Sequence, residues 1–329
     1  MQLNAQLATW RPPQITPWQR FRRDPAIFLA RALYSQRADV VLPSPTADPI
    51  KIICISDTHN AQPTYVFDGD VLIHAGDLTN KGSFAELQSQ LSWLQSLPHA
   101  HKIVIAGNHD LLLDPAFSEK YPDRVPDESG GEGTSVEDLD WGGLTYLNDS
   151  STTLTFESPS PTGSVPSRTL RIYGAPWTEQ CGLFAFQYPP VRERVWAGRI
   201  PDGTDIVVVH GPPRGHLDQG GKGCPQLLRE IERAKPKLVV CGHIHEGHGR
   251  EDLLNDNLDR AYHAVETGDR GLWGVAVLAG WLLWKNLWAA VWPTVTSKGT
   301  RLVNAAVMTR GWTGNADGPA LREAIVVEL

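Results

Sequence analysis

The chain has 329 residues, 41% hydrophobic and 20% charged, with a formal net charge of −7. It is long enough to bury a large core as one domain or two, and its composition is that of a soluble globular protein. The acidic balance argues against a protein that grips a nucleic-acid backbone, but not against one acting on a small anion through a bound metal.

The first ten residues, "MQLNAQLATW", show no charged start followed by an apolar run, so no secretory leader is read there. Residues 11 to 37 hold six arginines against one acid, Asp24. A mitochondrial presequence and a surface extension compete for that stretch, and its prolines and acid favour the extension. Residues 1–49 are therefore read as an N-terminal extension, with a short helix at "DPAIFLARALYSQ" capped by Asp24. From residue 50 the pattern changes to short β-rich runs: "KIICIS", "VLIHAG", "KIVIAG", "TLRIYG", "DIVVVHG" and "KLVVCG". Helical stretches lie between several of them, such as "SFAELQSQLSWLQSL", where Phe84, Leu87, Leu91 and Leu94 share a face. Near-continuous apolar strands alternating with helices indicate an α/β protein with buried sheets. Residues 117–140 and 157–168 read as loops. The segment "GLWGVAVLAGWLLWKNLWAAVW", residues 271–292, is apolar on all sides with tryptophans at helical spacing. Such a segment calls for a core, a protein partner or a lipid surface. A bilayer-spanning reading would carry Lys285 and Asn286 at mid-membrane and separate the final strands, "TRLVNAAV" and "AIVVEL", from the rest.

Cys54, Cys181, Cys224 and Cys241 have no CxxC spacing, so neither a zinc ribbon nor a dithiol site is indicated. No disulfide framework is implied, which fits a reducing compartment; a cytoplasmic location follows as the expectation, with peripheral membrane contact as an extension of it.

The strands end alike. "CISDTH" delivers Asp57 and His59, "LIHAGD" Asp77, "VIAGNHD" Asn108, His109 and Asp110, "VVVHG" His210, and "VVCGHIH" His243 and His245. Ligands bind off the carboxyl ends of strands in open α/β sheets, so five strands bring metal-type side chains to one edge. Residues two apart on a strand end project to one side, which lets Asp57 with His59, and His243 with His245, share a cation. Mixed nitrogen and oxygen donors suit Mn, Fe, Zn or Ni rather than Mg or Ca. Seven donors exceed the need of one cation, and two cations sharing Asp77 would use them all.

In that order, DxH, GD, GNHD, a His before Gly, and GHxH resemble the calcineurin-like metallophosphoesterases. "HAGDLTNKGSFAELQSQLSWLQSLPHAHKIVIAGNHDLLLD", "IYGAPWTEQCGLFAFQYP", "HGPPRGHLD", "CGHIHEGHG" and "LVNAA" resemble the metallophosphoesterase-domain-containing subgroup, which includes cyclic-nucleotide phosphodiesterases. The resemblance covers about residues 50–250 and 299–329. It implies a four-layer α/β sandwich of two mixed sheets flanked by helices over residues 50–329, with a Trp-rich insert at about 251–298 as the departure from the subgroup. It implies one metal on Asp57, His59, Asp77 and His245, and a second on Asp77, Asn108, His210 and His243. His109 would contact the phosphate and protonate the leaving oxygen, with Asp110 orienting it. The expected activity is phosphodiester hydrolysis of a small or nucleotide-like substrate by a metal-bridging hydroxide. A phosphomonoesterase on the same site is the alternative, as is a weakly active scaffold or membrane-associated binding protein using residues 271–292. No nucleic-acid partner is expected.

Overall fold

The computed structural model describes residues 16–38, 42, 48–63, 66–125, 135–157, 167–192, 194–289, 299–309 and 321–329. Residues 1–15 of the expected extension, Trp292, and parts of the two expected loops lie outside them. The chain divides into two compact units, one of residues 39–259 and 294–329, the other of residues 1–38 and 260–293.

The larger unit holds two mixed sheets. In the first, β1 (Lys51–Ile55), β2 (Val71–Ala75), β3 (His101–Ile105) and β4 (Thr145–Tyr146) run parallel, and the last strand, β13 (Ile325–Glu328), pairs antiparallel with β1. The second has β5 (Ser150–Glu157), β6 (Ser167–Ala175), β9 (Ile206–Val209), β10 (Leu238–Cys241), β12 (Thr300–Asn304) and β11 (Gly249–Leu253) side by side, antiparallel only at its two edge pairs. A short parallel pair, β7 (Thr178–Glu179) and β8 (Gln187–Tyr188), stands apart. Strand alternation explains the layering. Ile52, Cys54, Ile73 and Ile103 face Ile172, Ile206, Val208 and Val240 in the core between the sheets. Their neighbours Ile53, Ile55, Leu72 and Val104 face outward onto helix α3 (Phe84–Ser96) through Leu87, Leu91 and Leu94. On the far side Val207, Val209 and Val239 meet Leu227 and Ile231 of helix α5 (Pro225–Ala234). Both faces of each central strand are therefore buried, which is why those runs are apolar throughout.

Some expectations shift. A helix, α4 (Pro115–Lys120), runs into the start of the expected loop at residues 117–140, capped by Asp114 Oδ1 accepting from the Phe117 amide. β5, whose serines and threonines mask its strand character, spans Ser150–Glu157 at the edge of the second sheet. The start of the expected insert is β11, an ordinary edge strand of the same sheet.

The smaller unit is helical: α1 (Pro17–Arg23), α2 (Pro25–Tyr34), α6 (Asn257–Glu266) from Arg260 onward, and α7 (Leu272–Ala289). Asp24 caps α2 as expected, its Oδ1 accepting from the Ile27 amide at 2.9 Å. α1 is a further helix in the expected extension, and Thr16 and Gln19 form the capping box that starts it. Tyr34 stacks on Tyr262 with centroids 3.9 Å apart, and Arg31 grips the buried Glu266 with two hydrogen bonds. Among the described residues no helix is long and apolar enough to cross a membrane; the spanning reading of residues 271–292 fails on α7 as far as Ala289.

Candidate metal centre

Five strands, β1, β2 and β3 in one sheet and β9 and β10 in the other, stop one to five residues before the residues singled out above. The chain does not simply run on as strand. Asp57, His59, Asp77 and His243 all take left-handed backbone conformations, with φ of 54°, 45°, 53° and 65°. Asp and His tolerate that region better than branched residues do, and strain of this kind persists where the surroundings enforce it. The reversals turn the side chains of both sheets toward one another.

Ligand-capable atoms of Asp57, His59 and His245 lie within 4.8 Å of one another, as do those of Asp77, His210 and His243, and those of His59, Asp77 and His109. His245 Nε2 is 3.2 Å from Asp57 Oδ1 and 3.3 Å from His59 Nε2. His210 Nε2 is 3.3 Å from Asp77 Oδ1 and 3.2 Å from Asn108 Oδ1. The other Asp77 oxygen, Oδ2, is 3.6 Å from His59 Nε2, so its carboxylate turns one oxygen toward each group. All seven expected donors thus meet at one edge. The grouping corrects the strand-alternation argument. His243 and His245, two apart, join different groups, because the reversal at His243 and the short helical turn His245–Gly247 break the alternation.

The donor chemistry fits cations. His59 Nδ1 donates to the Thr79 carbonyl and His210 Nδ1 to the Ala75 carbonyl. A carbonyl only accepts, so both rings turn a lone-pair nitrogen inward in their neutral form. There His210 meets the oxygens of Asp77 and Asn108, and His59 meets a second imidazole. Such electron-rich contacts repel unless a positive charge sits among them. The protein alone answers with protons: burial works to lower His210, but Asp77 outweighs it and holds the ring up at about 9. Burial and the His210 charge press His243 down to about 4. Burial would raise Asp57, yet the His245 hydrogen bond and the His210 charge bring it down to about 2, and Asp77 lies well below its ordinary range for similar reasons. Metals and protons compete for such a site. Three glycines make room for it: a Cβ on Gly107 would lie 2.2 Å from Asp77 Oδ1, one on Gly242 2.1 Å from Asp57 Oδ2, and one on Gly76 2.6 Å from His210 Nδ1.

His109 stands beside the donors, its ring centroid 4.9 Å from that of His59. Its orienting partner is not Asp110 as expected. The Asn80 carbonyl accepts from His109 Nδ1 at 2.8 Å. Asp110 is fully buried and points the other way, accepting from the amides of Gly107, Leu78 and Thr79 and from the Thr79 hydroxyl. Burial and the charge of Asp77 push its carboxyl up to about 6 against those bonds. Asp110 thus pins the loops after β2 and β3 to each other and does not reach reacting groups.

Other residues gain roles the sequence did not signal. Asn304 Nδ2 donates to the carbonyls of Leu217, Gly242 and Ile244, anchoring the loop that carries both β10 histidines. In the glycine-rich loop at residues 220–223 the amides of Gly220, Gly221 and Gly223 donate to the Asp218 carboxylate, which closes the loop on itself. His216 is fully buried, with Nδ1 3.1 Å from Glu251 Oε2. Trp177 is partly buried against Phe186 and the sheet core. A cleft of about 230 Å³ beside His109 is lined by Asn80, Lys81, Leu111, Arg124 and Phe184.

A family model described as calcineurin-like phosphoesterase matches residues 50–247, the segment that holds every donor named here. The chain belongs to the calcineurin-like phosphoesterase family. The family assignment and the donor clusters together support the metal-dependent phosphoester chemistry proposed below. Its relatives place it in the metallophosphoesterase-domain-containing subgroup. It is 37% identical to human metallophosphoesterase domain-containing protein 1, over 60% of this chain and 61% of that protein. It is 35% identical to a UPF0046 protein of Caenorhabditis elegans, over 61% of this chain and 70% of that one. A protein of Emericella nidulans named probable rhamnogalacturonate lyase C is 37% identical over 97% of this chain, which spans only 28% of that protein. A solved structure from Thermus thermophilus matches 63% of this calcineurin-like chain at 13% identity and a TM-score of 0.38.

Proposed function

We propose that this metallophosphoesterase is a phosphodiesterase for small or nucleotide-like phosphodiesters, working with two divalent transition cations bridged by Asp77. The observation that carries the reading is the Asp77 carboxylate, with one oxygen toward His59 and the other toward His210. Asp57, His59 and His245 would complete one cation's donors; Asn108, His210 and His243 would complete the other's. When bound, such a pair polarises the phosphoryl oxygens and lowers the pKa of a water toward neutrality.

The chain supplies the rest. The bond from His109 Nδ1 to Asn80 leaves Nε2 for the substrate, where, protonated, it can give its proton to the departing oxygen. Phe184, with its ring centroid 4.8 Å from that of His109, offers an apolar face to a leaving group such as a base or an aryl ring. Leu111 helps exclude water from the same cleft.

The cleft also favours a second reading. Lys81 and Arg124 on its rim suit the extra charge of a phosphomonoester dianion. Metal-stripped protein, given Mn²⁺, Zn²⁺ or Mg²⁺, would be assayed on bis-(p-nitrophenyl) phosphate and on p-nitrophenyl phosphate. Faster Mn²⁺-dependent cleavage of the diester supports the proposal. Faster cleavage of the monoester replaces it with the second reading. No turnover despite two bound metals per chain would sink both.

A further inference from the structure

Helix α7 has two apolar faces. Val275, Leu278 and Leu282 are buried on one face of the helix, which packs against α2 within the smaller unit. The other carries Trp273, Ala276, Gly280, Leu283, Trp284 and Leu287, every one exposed and none polar. Trp273 is 74% exposed and Leu287 69%, whereas such side chains normally seek burial. The stripe runs along about 21 Å of helix, at 1.5 Å per residue. An apolar strip this long on a folded unit marks a contact surface.

Charge decides what covers it. The unit of residues 1–38 and 260–293 holds nine of the chain's 30 Lys and Arg but three of its 37 Asp and Glu, leaving 21 basic against 34 acidic elsewhere. The smaller unit is thus strongly basic in an acidic protein. Helix α1, "PWQRFRR", has Arg20, Arg22 and Arg23 exposed together with Trp18 at 64% exposure. Two copies meeting through such units would bring like charges together. An anionic lipid surface attracts them, and tryptophan favours the boundary between headgroups and acyl chains. A helix unable to span can lie in that boundary with its apolar stripe immersed.

We propose that the unit formed by α1, α2, α6 and α7 docks the protein onto anionic membrane surfaces, through the Trp273–Leu287 stripe and the arginines of α1. The reading is independent of which phosphoester is cleaved.

The test uses the full chain and sedimented vesicles, either pure phosphatidylcholine or equimolar phosphatidylcholine and phosphatidylserine. Binding to the phosphatidylserine vesicles is expected, with tryptophan emission shifted to the blue and affinity falling as salt rises. Arg20→Gln, Arg22→Gln and Arg23→Gln combined should weaken it about a hundredfold, at about 1 kcal/mol for each basic residue near the surface. Trp284→Glu with Leu287→Glu should abolish it while leaving diester hydrolysis and thermal unfolding unchanged. Both altered positions are solvent-exposed, and the arginine variant provides a second reading should the helix variant unfold. Absence of binding, equal binding to both vesicle types, or binding indifferent to both variants overturns the proposal. A dimer in gel filtration that Trp284→Glu and Leu287→Glu dissociate assigns the stripe to a second copy and overturns it as well.

Discussion

The His109 backbone amide donates to Asp77 Oδ1 at 2.8 Å. The same carboxylate that faces both donor groups therefore also holds in place the residue proposed to meet the leaving oxygen, tying cation placement and proton transfer to one side chain. Asp77→Asn should bind fewer cations per chain and lower turnover to background, because an amide presents one oxygen where the site uses two. Elemental analysis of the purified variant beside its diester turnover checks this; full metal content with normal turnover would contradict it.

His109→Ala should separate the two tasks. The cation donors stay in place, so metal content should match the unaltered protein, while turnover drops by about 10²–10⁴. The loss should be smaller for substrates with good leaving groups, which need less help from an acid. An equal loss across a series of leaving groups would remove His109 from the proton-transfer role.

Gly107→Ala tests the room around Asp77. The added methyl would lie 2.2 Å from Asp77 Oδ1 and 2.3 Å from the Asp77 amide, closer than any real contact. Asp77 must then move, and metal affinity should fall by about 10–100-fold, as when a ligand's supporting contacts are lost. Competition against a chromogenic chelator measures it.

Asp110→Asn reads out a positioning role. Its carboxylate accepts from three amides and a hydroxyl, and an amide side chain would turn NH₂ toward some of these donors. A loss of about 3 kcal/mol in stability is expected from leaving buried donors unpaired, followed by thermal or urea unfolding. Since Asp110 does not contact the His109 ring, the leaving-group dependence of the remaining turnover should be unaltered.

In the smaller unit, Arg31→Ala would leave the Glu266 side chain, 0% exposed, without the guanidinium that grips it. Removing one partner of a buried pair costs about 3–5 kcal/mol. Lysine should rescue little, because the pairing is two-pronged through Nε and Nη2. Urea unfolding monitored by tryptophan emission would show the shift.

The site was legible because strand identity is local. Runs such as "KIICIS" and "KLVVCG" show their buried character residue by residue, and each breaks into Asp, His or Asn where apolar packing ends. That sufficed to single out the seven side chains that gather at one edge and to read the layered α/β fold. It failed on Asp110, whose neighbour His109 suggested a partnership in sequence. In the fold the two side chains diverge, and the ring is held by Asn80, which is 29 residues away and acts through a backbone carbonyl that no side-chain pattern reveals.

By itself the sequence determined the residue types at each strand end and the apolar, tryptophan-rich character of residues 271–289, since both follow from short-range pattern. The grouping the resemblance implies, which strand alternation alone contradicts, takes its physical reason only from the tertiary structure. The order of strands in two sheets brings His245 to Asp57 across 188 residues and His210 to Asp77 across 133, and left-handed turns at Asp57, His59, Asp77 and His243 override the alternation a strand would impose. It likewise joined α2 and α7 into one basic helical unit, because burying one face of an all-round apolar helix needs a partner surface that lies far away along the chain.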